Sequence, residues 1–240
     1  MIDIKVIGSG SSGNCYLANI NGTKILLEAG LPFKKIQKAL DYRVSEIDFC
    51  IITHCHKDHS KAVVDLMKNG IDVYMTDGTF SDLAIDDHHR RKRFIRNSDG
   101  NYPIFHAKNI TVKPFEAVHD VSEPVSFYIQ DINTKESLLF VTDTAYLKYK
   151  IPKIDILMIE CNYVKKVIDK KVEDGSLNIS LRNRIVRNHM SLETLLEALK
   201  QVDLSKLKKI YVLHLSDSNS DEKLIKEELQ KATGVSVEVC

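Results

Sequence analysis

The sequence has 240 residues, 34 basic against 33 acidic side chains, and a formal net charge of +1. That balance excludes a polybasic nucleic-acid binder and an acidic disordered chain, so any contact with a polyanion must come from a local patch. At 43% hydrophobic and 28% charged the composition is that of a folded globular protein.

The first segment alternates short β-type runs with turn signals: IDIKVIG, the Gly/Ser stretch from Gly8 to Gly13, NCYLANI, Asn21-Gly22 and TKILLEAG. Asn-Gly between two apolar runs predicts a hairpin, because both residues tolerate positive φ. From residue 31 strand and helix patterns alternate. DFCIIT (48–53) reads as a buried strand. Ala62, Val63, Leu66 and Met67 share a helical face closed by Gly70, a C-capping residue. DVYM (72–75) resumes a strand. Between about 103 and 141 β-type runs dominate, with SFYIQDI and SLLFVTD separated by the polar turn 133–136. DILMIE (155–160) is a strand, and Ser191 is placed to cap a helix with the stripe Leu192, Leu195, Leu196 and Leu199. KKIYVLHL (208–215) is a strand, Ser220 begins an acidic-first helix, and VSVEV closes the sequence. These patterns predict one domain over residues 1–240, an α/β fold of the αββα sandwich type with two mixed β-sheets flanked by helices.

No run of about 18 apolar residues is present, which predicts no membrane span. MIDIKVIGSG lacks the basic start and long apolar stretch of a secretory signal. Five scattered cysteines, at 15, 50, 55, 161 and 240, lack paired spacing and read as reduced thiols. The expectation is a cytoplasmic protein.

The informative segment is THCHKDHS, which places His54, His56, Asp58 and His59 at the end of a buried strand and the start of a helix. Period-two alternation turns His54 and His56 to one side and Cys55 to the other. Imidazole with carboxylate suits zinc, with manganese or iron as alternatives. Further ligand types end later apolar runs: His119 in EAVHDVSEP, Asp143 in LLFVTDTAY and His214 in IYVLHLSDS. As a set they suffice for two three-histidine-type sites bridged by a carboxylate. His189, in VRNHMSLE, is either a sixth functional histidine or a local cap for the following helix.

HCHKDH resembles the HxHxDH signature of the metallo-β-lactamase superfamily, with His119, Asp143 and His214 in the superfamily's order. VIGSGSSGNCYL, VHDVSEPVSF, VTDTAYL, IECNYV, NHMSLE and LHLSDSNS resemble segments of the YycJ/WalJ-type hydrolases within it. The resemblance implies two divalent ions, zinc or manganese. One would take His54, His56 and His119, and the other Asp58, His59 and His214, with Asp143 bridging. It implies catalytic roles for Asp58, Asp143 and His189, the last donating a hydrogen bond or proton to substrate or leaving group. Candidate substrate contacts are Ser11, Ser12, Asn14, Asn162, Arg184, Ser216 and Asn219; the Gly/Ser stretch reads equally well as a tight turn. Three departures stand out. Glu28 occupies a position where the superfamily has Asp, Ala145 replaces a usual Gly, and Asn188 replaces the Gly before His189.

The implied substrate is a phosphodiester, with DNA as partner and 5′-to-3′ exonuclease action. Two basic stretches bear on this: Arg90, Arg91, Lys92, Arg93 and Arg96, read as a solvated face, and Arg182, Arg184 and Arg187, which lead into His189. The alternatives are a small-molecule ester, lactone or thioester hydrolase on the same metals, favoured by an apolar pocket beside them, and a noncatalytic metal-bearing interaction module.

Overall fold

A computed structural model describes residues 1–85 and 87–240, and the chain divides into two units. The first comprises Met1–Glu116 and Val121–Ser137, the second Ala117–Asp120 and Leu138–Cys240.

The first unit opens with strands β1 (Ile2–Gly8), β2 (Cys15–Ile20) and β3 (Thr23–Leu27), paired antiparallel. The hairpin between β2 and β3 turns at Asn21 (φ 48°) and Gly22 (φ 90°), the double left-handed conformation that a two-residue turn requires and that Asn-Gly supplies at low cost. Helix α1 (Phe33–Ala39), strand β4 (Phe49–Ile51), the short helices α2 (Lys57–Ser60) and α3 (Val63–Lys68), strand β5 (Asp72–Thr76), helix α4 (Asp77–Leu83) and strand β6 (Arg91–Phe94) follow. β3 to β6 pair in parallel, so the six-stranded sheet β1-β2-β3-β4-β5-β6 is mixed. Parallel neighbours need crossovers, and the helices that provide them cover one face. Leu26, Cys50, Ile52, Val73 and Met75 pack there against Ile36, Leu66 and Phe80. The expected face of Val63, Leu66 and Met67 is buried, and Gly70 follows the α3 C-cap at φ 91°. β7 (Phe105–Ala107), β8 (Ile110–Glu116) and β9 (Val125–Asp131) form an antiparallel meander. After β9 the polar turn is held by Asp131 Oδ1, which accepts from the amides of Asn133 and Thr134, each at 2.8 Å.

The second unit is built on β10 (Ser137–Val141), β11 (Ile156–Glu160), β12 (Lys209–Leu213) and β13 (Ser236–Val239). Neighbours along the order β10-β11-β12-β13 are parallel. Every residue of β10 and β11 is buried, which explains their continuous apolar runs: a parallel strand covered on both faces does not alternate. Helices α5 (Lys165–Glu173), α6 (Ile179–Asn188), α7 (Leu192–Leu199) and α8 (Glu222–Thr233) complete the unit. Ser191 caps α7 as expected, its hydroxyl accepting from Thr194 N at 3.1 Å. The cap of α8 is a correction. Asp221, not Ser220, accepts from Leu224 N at 3.0 Å, while the Ser220 hydroxyl donates to Ser216 O at 2.7 Å. α5 and α6 are not among the predicted elements; each buries a single residue, Ile168 and Asn188 respectively. No helix among the described residues is long and apolar enough to cross a membrane, and the five cysteines are free thiols.

Candidate metal centre

In each unit, parallel strands deliver polar side chains at their carboxyl ends. Such strands lie in register, so the residues following them gather at one edge, where α/β sheets place their ligands.

In the first unit β3 and β4 end side by side, with Leu27 opposite Ile51. Glu28 follows β3 with φ at 67° and is fully buried. Its carboxylate accepts from Thr53 N at 3.2 and 3.4 Å and lies 3.8 Å from His59 Nδ1. The extra methylene is therefore accommodated. Burial pushes the Glu28 carboxyl above the usual range, with His59 and Thr53 drawing it partly back. His54 and His56 face one another, Nε2 to Nδ1 at 3.1 Å, as the alternation predicted. The Thr53 hydroxyl meets His54 Nδ1 at 2.9 Å. The His54 and His59 rings lie 4.1 Å apart, and Asp58 Oδ2 is 3.4 Å from His59 Nε2. Cys55 turns away toward Asp82.

The Gly/Ser stretch secures this cluster from behind. Asn14 N donates to Asp58 O at 2.7 Å, Gly30 N donates to Asn14 O at 2.8 Å, and Ala29 N donates to His59 O at 2.8 Å. The fully buried Asn14 side chain is used on Gly10, Asp58 O and His59. Asn14 is thus a buttress of the Asp58–His59 turn. Ser11 and Ser12 are exposed.

In the second unit Asp143, Glu160 and His214 stand at the carboxyl ends of β10, β11 and β12. Asp143 and His214 have φ of 38° and 52°. Non-glycine residues held left-handed carry strain that functional sites commonly store. Donor atoms of Asp143, Glu160, His189 and His214 lie within 4.8 Å of one another, a spacing and chemistry that fit a divalent ion. His119 Nε2 is 3.8 Å from Asp143 Oδ2, and His214 Nδ1 is 3.4 Å from Asp143 Oδ1. His119 Nδ1 lies 3.0 Å from Asn188 O. A carbonyl only accepts, so Nδ1 carries the proton and Nε2 keeps its lone pair for a ligand.

His189 does not cap α7. It follows α6, its Nδ1 is 3.1 Å from Glu160 Oε2, and its ring lies 5.4 Å from that of His214. Glu160, fully buried, also accepts from Thr144 N. Burial raises its carboxyl above the ordinary range, opposed by the adjacent His189. Sequence reading passed over Glu160. The available signal was an acid ending the apolar run DILMIE, the same pattern that singled out Asp143. Asn162 and Asn219 are buried. Asn162 Nδ2 donates to His214 O at 2.9 Å and Asn219 Nδ2 to Ser216 Oγ at 3.1 Å, so both hold the His214 loop. Asn188, where a Gly was usual, uses its side chain on Asp120 at 2.7 Å.

The two basic stretches differ. In the first, Arg90 pairs with Asp72 at 2.9 Å, Arg93 with Asp77 at 3.3 Å, and Arg96 with Glu116 at 2.7 Å and Glu123 at 3.1 Å. These three are paired locally, while Arg91 lies over the Phe80 ring at 4.3 Å and makes no ion pair among the described residues. In the second, Arg182 is held by Asp169 through Nε (3.0 Å) and Nη2 (2.7 Å). Arg184 and Arg187 are exposed and make no ion pair among the described residues. With Asp120, Ser180, Asn183 and Asn188 they line a cavity of about 400 Å³.

Strand-end histidines and carboxylates on such sheets define a class, and the comparisons agree. The chain belongs to the β-lactamase superfamily domain family, which it matches over residues 23–237. It has the metallo-β-lactamase fold, two mixed sheets flanked by helices, and it is a metal-dependent hydrolase that binds divalent metal. Within that class it is similar to the exodeoxyribonuclease WalJ of Streptococcus pneumoniae serotype 2, with 29% identity over 236 residues, 91% of this chain and 83% of the relative. It is similar also to the exodeoxyribonuclease YycJ of Bacillus anthracis, with 27% identity over 235 residues, 93% of this chain and 86% of the relative. Among solved structures, the metallo-β-lactamase fold protein YhfI of Bacillus subtilis superposes with a TM-score of 0.74 at 16% identity, covering 100% of this chain and 96% of that one.

Proposed function

We propose that the protein is a binuclear phosphodiesterase acting on DNA, an exonuclease running 5′ to 3′, and that residues 1–240 form one metallo-β-lactamase-like domain. The reading is carried by one pairing: a donor cluster of metal type in a chain similar over nine-tenths of its length to proteins named exodeoxyribonuclease. His54, His56 and His119 would hold one zinc or manganese ion, and Asp58, His59 and His214 the other, with Asp143 shared. When bound, such ions make water acidic enough to attack at neutral pH and offset charge on the attacked phosphorus.

The chain's own residues orient and hold protons. Asn188 O fixes the His119 tautomer, and Asn162 holds the His214 backbone. Glu160 holds His189 by Nδ1, leaving Nε2 to donate a hydrogen bond or proton to substrate or to the departing oxygen. The cavity beside Asp120 and Asn188 is lined by polar and charged side chains, as a phosphodiester requires and a small apolar ester does not. Its two arginines would track the substrate backbone, and Ser11, Ser12, Asn14, Asn162, Ser216 and Asn219 are the remaining candidate contacts.

The test is 5′- and 3′-labelled DNA incubated with the protein and Zn²⁺, Mn²⁺ or chelator, beside Asp58→Ala and His189→Ala. Metal-dependent release of nucleotides from the 5′ end, lost in both variants, is the expected outcome. Hydrolysis of a generic ester without cleavage of any labelled phosphodiester would overturn the proposal.

A further inference from the structure

Helix α6 lines the cavity beside Asp120 with polar side chains. Ser180, Arg184 and Arg187 stand at i, i+4 and i+7 with Asn183 and Asn188 beside them, so they form one stripe. With Asp120 they enclose the space of about 400 Å³. Helices of folded proteins normally turn an apolar stripe inward. α6 instead leaves Ile179 and Leu181 54% and 44% exposed and buries Asn188. Arg182, two positions from Arg184 and so on another face, is drawn off to Asp169 at 2.7 Å. Arg184 and Arg187 are exposed and carry no ion pair among the described residues.

The cavity is fixed against the candidate site. Asn188 Nδ2 donates to Asp120 Oδ2 at 2.7 Å, and Asn188 O meets His119 Nδ1 at 3.0 Å. Two residues of its lining, Asp120 and Asn188, therefore adjoin His119 and His189 along the chain. Asp120 brings a negative charge into the lining, but Asn188 takes its Oδ2 and its Oδ1 lies 3.5 Å from His119 Nε2. The two guanidinium groups keep their charge for a ligand.

Guanidinium forks match phosphate oxygens two at a time, and Ser180 and Asn183 add a hydroxyl and an amide donor. A phosphate inside a polynucleotide offers two free oxygens and a single negative charge. A terminal phosphate monoester offers three oxygens and about −1.5 to −2 charges, which suits two arginines better. Resting on the phosphodiesterase reading above, we infer that this cavity is the subsite for the 5′-terminal phosphate of the substrate. The end is held beside His119 and His189, so the bond presented to them is the first one in from the terminus. Exonuclease action then follows from a preference for chain ends, because an internal phosphate lacks the third oxygen and the second charge.

The test is fluorescence anisotropy with the protein as purified and 3′-labelled, phosphorothioate-linked DNA duplexes that resist hydrolysis. The probes differ in one respect: both 5′ ends carry a phosphate or both carry a hydroxyl. The 5′-phosphate duplex is expected to bind about 10- to 150-fold more tightly. Arg184→Ala and Arg187→Ala should each shrink that ratio toward one while leaving the 5′-hydroxyl duplex bound as by wild type, which also shows that the variants are folded. Equal binding of the two duplexes by wild type would overturn the subsite. So would arginine variants that weaken both duplexes alike, since the arginines would then grip internal phosphates. A preference that vanishes in chelator but survives in both variants would assign the phosphate to the metals and overturn it as well. The binding measurement needs no cleavage. Cleavage from the 5′ end without a phosphate preference overturns this inference alone, and a preference without cleavage overturns the exonuclease reading alone.

Discussion

Gly30→Ala tests how the Gly/Ser stretch supports the metal ligands. Gly30 does not lie in the left-handed region, so what excludes a side chain is space. A Cβ there would fall 1.6 Å from Asp58 O, 2.2 Å from Asp58 C and 2.8 Å from Asn14 N. All three are backbone atoms, so no rotamer change relieves the clash and the α2 turn must move. That movement breaks the contacts Asn14 N to Asp58 O, Gly30 N to Asn14 O and Ala29 N to His59 O. At about 1 kcal/mol net for each, with ~1–3 kcal/mol for overpacking, the loss is about 4–6 kcal/mol. Stabilities are typically about 5–15 kcal/mol, so the variant should be marginal. Gly70→Ala is the control. Its Cβ meets nothing within 4 Å, and at φ 91° it costs only left-handed strain, about 1–2 kcal/mol. Urea denaturation gives the two losses, and elemental analysis of protein purified from metal-supplemented medium gives the metal bound per chain. Gly30→Ala with the stability of Gly70→Ala and full metal content would refute the reasoning.

Other residues give further tests. Glu160→Gln keeps the shape but weakens the hold on His189; kcat should fall about 10- to 100-fold at nearly unchanged KM, and full activity would show that His189 needs no orientation. His119→Ala should lower the metal content measured by elemental analysis while the far-ultraviolet dichroism stays that of a folded protein. The Glu123 carboxyl, although burial alone would raise it, is held below its ordinary value of 4.5 by Tyr102, Gly78 N and Arg96. A depressed folded value stabilises above the unfolded pKa and is lost as pH falls through the folded one. Stability should therefore decline as pH drops below 4.5. In Arg96→Ala that acid dependence should flatten and stability at neutral pH should fall by about 1.5–3 kcal/mol, measured by denaturation midpoints across pH.

How much of this could be read from the residues depended on whether the signal was local. The β2–β3 hairpin was legible because Asn21 and Gly22 set their own dihedral angles. The strands at 48–53, 155–160 and 208–215 were legible because sheets covered by helices demand continuous apolar runs. The ligand-type histidines were legible because they end such runs or, like His59, open the helix that follows one. α5 and α6 went unread, and each buries a single residue. Asp221 displaced Ser220 as a cap because two competent side chains lay next to each other and only the backbone path chose between them.

By itself the sequence determined the chemistry available: nitrogen and carboxylate donors at strand ends, in an order resembling one superfamily. Tertiary structure decided which polar side chains face that chemistry and which hold it in place. Asn14, Asn162 and Asn219 became internal braces because their amide nitrogens reach neighbouring backbone and side-chain groups. Glu160 became the partner of His189 because parallel pairing brings the ends of β10, β11 and β12 together. Arg184 and Arg187 differ from Arg182 and Arg96 in being exposed and in making no ion pair among the described residues. Such distinctions rest on neighbours remote in sequence, and folding alone supplies them.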